Sequence, residues 1–206
     1  MTVQQPDARG PAVAPARLKF IVGGGFGAGK TTFIGAVSEI VPLRTEELLT
    51  EAGRTVDRLD GVRRKNTTTV AMDFGRITFP SPHDVQLLLF GTPGQDRFNT
   101  FWPELTSGAV GAVVLVDTRR LEDSFPTVGF FEGRGLPFVV AVNEFAEAAH
   151  QYEVPEVRDA LDLPSYVPVM LCDARRGDSC AGVLKTLTKY ALSGLTPGQP
   201  VPGASR

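Results

Sequence analysis

Three observations predict an α/β fold of three layers, with a mostly parallel central sheet flanked by helices. Apolar strand-like runs alternate with helical segments along the chain. Two of these runs, AVGAVVLVD (109–117) and PFVVAVN (137–143), are continuously apolar and rich in β-branched residues, as strands buried on both faces of a parallel sheet are. The loops that carry recognisable motifs each follow a strand end, where ligands bind in such folds. A chain of 206 residues, 42% hydrophobic and 21% charged, suits one sizeable globular domain.

The elements follow in order. Residues 1–17 are rich in Pro and Ala and read as a mobile tail. LKFIVGG (18–24) is the first strand, and KTTFIGAVSEI (30–40) a helix with Phe33, Ile34, Val37 and Ile40 on one face. The long connection PLRTEELLTEAGRTVDRLDGVRRKN (42–66) contains TEELLTEAG, which predicts a helix capped by Thr45, and its length predicts mobility without ligand. VAMDFGRITF (70–79) alternates Val70, Met72 and Phe74 on one side, as a half-exposed or edge strand does. SPHD then turns the chain into the strand VQLLLFG (85–91). SYVPVMLC (165–172) is the last strand and DSCAGVLKTLTKYAL (178–192) the closing helix, with Val183, Leu184, Leu187, Tyr190 and Ala191 as its apolar face. SGLTPGQPVPGASR resembles the first tail in composition, so the domain is placed at 18–192 and a second tail at 193–206.

Composition excludes several functions. A net charge of −2 gives no basic field for nucleic acid or an anionic membrane. Cys172 and Cys180, spaced C-x₇-C with only His83 and His150 beside them, make neither a disulfide framework nor a zinc site. No apolar run reaches the ~20 residues of a membrane helix. The N-terminus lacks a signal h-region, and neither end carries a lipidation motif. A cytoplasmic protein is expected, without nucleic acid and without direct membrane insertion, any recruitment to a membrane coming through a partner.

Gly24-Gly25-Phe26-Gly27-Ala28-Gly29-Lys30-Thr31 fits G-x-x-x-x-G-K-[ST] between a strand and a helix. Glycines let successive backbone N–H groups curl around phosphate oxygens beside a helix N-terminus. Lys30 reaches the β- and γ-phosphates, Thr31 offers its hydroxyl to magnesium, and Thr32 lies near the α-phosphate. The fold is thus refined to a three-layer P-loop NTPase binding a nucleotide with Mg²⁺.

Within that class, residues 18 to about 192 resemble a Ras-like small GTPase. TVAMDFGRITF resembles the segment in which a switch threonine leads into a strand. The resemblance assigns Thr69, with Thr67 and Thr68 as neighbours, to magnesium and γ-phosphate. GTPGQDRF resembles the second switch, with the N–H of Gly94 on the γ-phosphate and Gln95 orienting the attacking water. The aspartate that ordinarily precedes this turn and helps to hold magnesium is Gly91 here. LFGTPGQ, with GGGFGAGKTTFIGAVSEI, PLRTEELLTEAG and TTTVAMDFGRI, is similar to the bacterial GTPases of actinobacterial conservon operons and their gliding-polarity relatives.

The base loop departs from the pattern. Asn143-Glu144-Phe145-Ala146-Glu147 stands where Ras-like proteins carry N-K-x-D, so Asn143 is kept, Glu144 replaces the lysine, and the guanine-reading aspartate is Ala146. Glu147, Glu144 or Asp173 could supply a carboxylate instead; without one, discrimination falls by roughly 1–3 kcal/mol. Cys172-Asp173-Ala174-Arg175 resembles the S-A-K loop that offers a backbone N–H to guanine O6. Arg97, Arg119 and Arg120 read as surface charges, so no arginine finger is assigned. The resemblance implies GTP/GDP as ligand, slow GTP hydrolysis, a roadblock-type regulatory protein as partner, and a sensor-kinase complex as a further candidate. The alternatives are a nucleotide-binding interaction module with little hydrolysis and relaxed base selectivity, and a metabolic ATP kinase, which lacks a recognisable arginine-rich lid.

Overall fold

The computed structural model describes residues 15–49, 68–80, 84–94, 101–145 and 152–194. Among them, the strands are β1 (Ala16–Gly23), β2 (Leu43–Leu49), β3 (Thr68–Phe79), β4 (Val85–Gly91), β5 (Ala109–Val116), β6 (Phe138–Asn143) and β7 (Val169–Cys172). The helices are α1 (Lys30–Val37), α2 (Trp102–Leu105), α3 (Phe125–Gly133), α4 (Val154–Ala160) and α5 (Gly177–Ser193), with a 3-10 segment at Thr118–Ser124. The strands form one seven-stranded sheet in the order β2-β3-β4-β1-β5-β6-β7. From β4 to β7 every pairing is parallel, while β2, β3 and β4 pair antiparallel.

Successive residues of a strand point to opposite faces, and the two cores follow from that. Phe20 and Val22 of β1 pack with Val113 and Leu115 of β5, Phe33 and Ile34 of α1, and Val183 and Leu187 of α5. Ile21, Val114 and Val116 face the other way, onto Val128 and Phe131 of α3 and Val157 of α4. Each such side chain contributes about 1.5–3 kcal/mol by leaving water. The continuously apolar runs are therefore central strands between two helical layers, as the sequence predicts.

Three expectations need correction. Residues 45–49 of the segment expected to be a helix capped by Thr45 belong to β2, which pairs with β3 from Leu43↔Phe74 to Leu49↔Thr68. Leu and Glu favour a helix only weakly, and seven residues of ladder override that preference. β3 is consequently not an edge strand, because β2 covers its outer side. β1 starts at Ala16, inside the segment read as a tail, and the Ala16 N–H donates to the carbonyl of Asp84 at 2.8 Å. The remainder of the 42–66 connection from residue 50 onward lies outside the described residues, as do Thr67, Gln95, Ala146 and Glu147.

Candidate nucleotide-binding site

The phosphate loop joins β1 to α1 with Gly24, Gly27 and Gly29 at φ +137°, +75° and +103°. These conformations are open to glycine and strained for other residues. At Gly24 a Cβ would also lie 2.3 Å from the carbonyl oxygen of Leu115, so the loop is pressed against β5. Lys30 is buried, and its Nζ donates to the carbonyls of Gly24 at 2.8 Å and Gly25 at 2.7 Å. Burial pulls its pKa down to about 8, with the nearby charge of Asp73 acting in the opposite sense. A desolvated ammonium beside curled backbone is an electrostatic seat for phosphate. Thr32 lies on the same first turn, exposed, and Ala28 in the loop is buried.

The missing aspartate is answered from the neighbouring strand. The hydroxyl of Thr31 donates to Oδ2 of Asp73, a β3 residue that sequence reasoning passed over. A Cβ on Gly91 would stand 3.3 Å from the Cβ of Asp73 and 3.2 Å from Cδ1 of Ile34. The space that a side chain at position 91 would take is thus occupied by Asp73. Its signal in the sequence was the odd acidic residue in VAMDFGRITF, but only the β3–β4 ladder, in which Phe74 pairs with Phe90, shows where it points. A carboxylate and a hydroxyl in contact beside a phosphate loop are hard oxygen donors and fit magnesium. The hydroxyl of Thr92, just past the end of β4, is buried without a hydrogen-bond partner among the described residues.

Gly94 comes over the loop so closely that a Cβ there would lie 2.7 Å from Lys30 Nζ and 2.9 Å from Phe26 Cα. Thr69 sits in β3 opposite Leu48, four residues before Asp73 on the same strand.

On the base side, Asn143 cross-links two loops. Its Nδ2 donates to the Ala28 carbonyl and its Oδ1 accepts from the Ala174 N–H, both at 3.0 Å. Asp173 is gripped by Arg175, whose Nε and Nη2 reach its two oxygens at 2.8 and 2.9 Å, and this holds its pKa down to about 2. Both Ala174 N–H and the Asp173 carboxylate, expected to meet the base, are therefore engaged within the protein. Glu144 is exposed beside them.

Arg119 and Arg120, read as surface charges, are exposed, and both also reach the site. Asp117, only 4% exposed, accepts from Arg119 Nη2 at 2.8 Å, which lowers its pKa. The Arg119 guanidinium lies over the Phe145 ring at 3.8 Å. Arg120 donates to the Phe26 carbonyl in the phosphate loop at 2.6 Å. Gly27, Gly29, Thr32, Arg119, Asn143 and Phe145 line a cavity of about 270 Å³ that Glu144, Ala174 and Arg175 complete. One side of this cavity is the phosphate loop and the other the base loops, an arrangement that suits a nucleotide.

A family described as "Conserved hypothetical ATP binding protein" matches residues 22–194, from the end of β1 through the whole of α5. The chain belongs to this family. Nucleotide binding is thus common to the family's description and to the geometry of the loop. No curated protein matches the sequence. Among solved structures, the FeoB G-domain of Methanococcus jannaschii is similar at a TM-score of 0.56 and 13% identity, over 86% of this chain and 99% of that one. The G domain of the T. maritima FeoB iron transporter gives 0.58 and 16%, over 85% and 99%. The cytosolic domain of the same transporter in a GDP form gives 0.59 and 16%, over 88% of this chain and 65% of the other. At such identities the likeness establishes the fold, that of a G domain among P-loop NTPases.

Proposed function

We propose that this chain is a small GTP-binding protein working as a nucleotide-dependent switch, slow in GTP hydrolysis and regulated by a roadblock-type partner, in the manner of the conservon and gliding-polarity GTPases it resembles. The observation that carries this is Gly94: the start of the second switch rests on Lys30 and Phe26, so phosphates seated on the loop must act on it. Lys30 and the loop N–H groups bind phosphate, and Thr31 with Asp73 would hold magnesium, which would offset phosphate charge. Gln95 orients the attacking water. Arg120 is tied to the Phe26 carbonyl and to Asp117 and Asp123, the latter two at 3.8 Å, which favours slow turnover without a partner. No helix among the described residues is long and apolar enough to cross a membrane; recruitment would fall to a partner such as a sensor-kinase complex.

A second reading, a nucleotide-binding interaction module with relaxed base selectivity, is favoured by the engagement of Asp173 with Arg175 and of Ala174 with Asn143. It would also accommodate the ATP in the family's description. Calorimetric titration with GDP and with ADP, with magnesium and then with chelator, separates the two. Tight GDP binding without an ADP signal supports the guanine switch; equal binding supports the module; binding of neither removes both. Gln95→Leu should slow single-turnover GTP hydrolysis by about tenfold or more with GDP affinity kept, if Gln95 handles the water.

A further inference from the structure

We propose that Arg119 and Phe145 together form the platform on which the nucleotide base stacks, a step that rests on the nucleotide-site reading above. Arg119 follows the end of β5, and Phe145 follows the end of β6, so two strand-end loops bring two flat groups to one place. Asp117 fixes the arginine from three sides: it accepts from the Arg119 backbone N–H at 3.0 Å, from Nε at 2.9 Å and from Nη2 at 2.8 Å. These bonds use in-plane donors of the guanidinium, the group whose plane is suited to stacking. One face meets the Phe145 ring at 3.8 Å from the centroid.

The arginine side chain stays 40% exposed although its carboxylate partner is 4% exposed, so a buried carboxylate anchors a partly exposed guanidinium. It lines the cavity of about 270 Å³ that begins at Gly27, Gly29 and Thr32. A nucleotide with its phosphates on the loop carries its base into that cavity, against the pair. The edge-reading groups close by, Ala174 N–H and Asp173, are already bonded within the protein. Stacking is indifferent to which base it meets, because every base has a π face. The platform therefore supplies affinity for guanine and adenine alike, and edge contacts add whatever selectivity there is.

The test titrates the full chain, in magnesium, with GDP, ADP and inorganic triphosphate, for wild type, Arg119→Ala and Arg119→Lys. A base platform predicts that Arg119→Ala weakens GDP, and any ADP binding, by a common factor of about tenfold. Triphosphate binding, which also reports an intact fold, stays at the wild-type value. Arg119→Lys keeps the charge without the plane and should lose nearly as much as Arg119→Ala. Arg120, 3.8 Å from Asp117, keeps a cation beside that carboxylate in both variants. Equal loss of GDP and triphosphate, or full rescue by Arg119→Lys, would overturn the platform while leaving the nucleotide site standing. Unchanged GDP affinity in Arg119→Ala overturns it too. A wild-type chain that binds none of the three ligands overturns the nucleotide site itself, and the platform with it.

Discussion

Restoring the usual aspartate by Gly91→Asp is expected to damage the protein, because Asp73 already occupies its place. The new Cβ would lie 3.3 Å from the Cβ of Asp73, so the two carboxyl groups would stand roughly 5 Å apart. At an effective dielectric constant of about 20, their repulsion is about 3 kcal/mol, which favours keeping one of the two carboxyls protonated. A carboxyl whose folded pKa is raised holds a proton in the folded state that the unfolded state has released. The penalty is therefore absent where both carboxyls are protonated, grows as pH rises above the ordinary carboxyl range near 4, and is present at pH 7. The steric part is read from Gly91→Ala, whose Cβ meets Ile34 Cδ1 at 3.2 Å, an overpacking cost of about 1 kcal/mol. Urea unfolding without magnesium should thus place Gly91→Asp about 3 kcal/mol below Gly91→Ala at pH 7 and level with it at pH 4. Adding Asp73→Asn to Gly91→Asp should recover most of the difference. If Gly91→Asp matches Gly91→Ala at pH 7, or Asp73→Asn recovers nothing, Asp73 does not hold the place of the missing residue.

Two further predictions concern the phosphate and base sides. The pKa of Lys30 is lowered to about 8, and bound phosphate favours its charged form. Affinity for GDP should therefore hold below pH 8 and fall by up to about tenfold per unit above it, with proton uptake on binding visible as a buffer-dependent calorimetric heat. A flat affinity between pH 7 and 9 would mean that Lys30 stays charged without ligand. Asn143→Ala removes two buried hydrogen bonds, to Ala28 and from Ala174. It should cost about 2–4 kcal/mol in denaturant unfolding, and a loss below about 0.5 kcal/mol would show that the loops do not depend on this link.

The central strands were legible because burial on both faces leaves a continuous apolar run, and the phosphate loop because its chemistry is local: glycines, a lysine and a threonine within eight positions. β2 was not legible, since LRTEELL carries no strand pattern of its own and becomes a strand only through the ladder to β3. Asp73 was missed for a related reason. A residue eighteen positions before Gly91 becomes its neighbour only when β3 folds antiparallel beside β4, and no spacing rule links the two. The same holds for Arg119, an exposed charge as expected, whose place in the cavity wall shows only with Asp117 and Phe145 beside it.

By itself, the sequence determined the layer architecture, the order of the central strands' loops along the chain, and the position of the glycine-rich loop between β1 and α1. These depend on periodicity and on contacts within a few residues. Only the tertiary structure decided which carboxylate stands beside Thr31, which amides and acids near the base are already engaged, and which arginine lines the cavity. Those contacts join residues far apart in the chain, brought together when the sheet sets its strands in an order the chain does not follow.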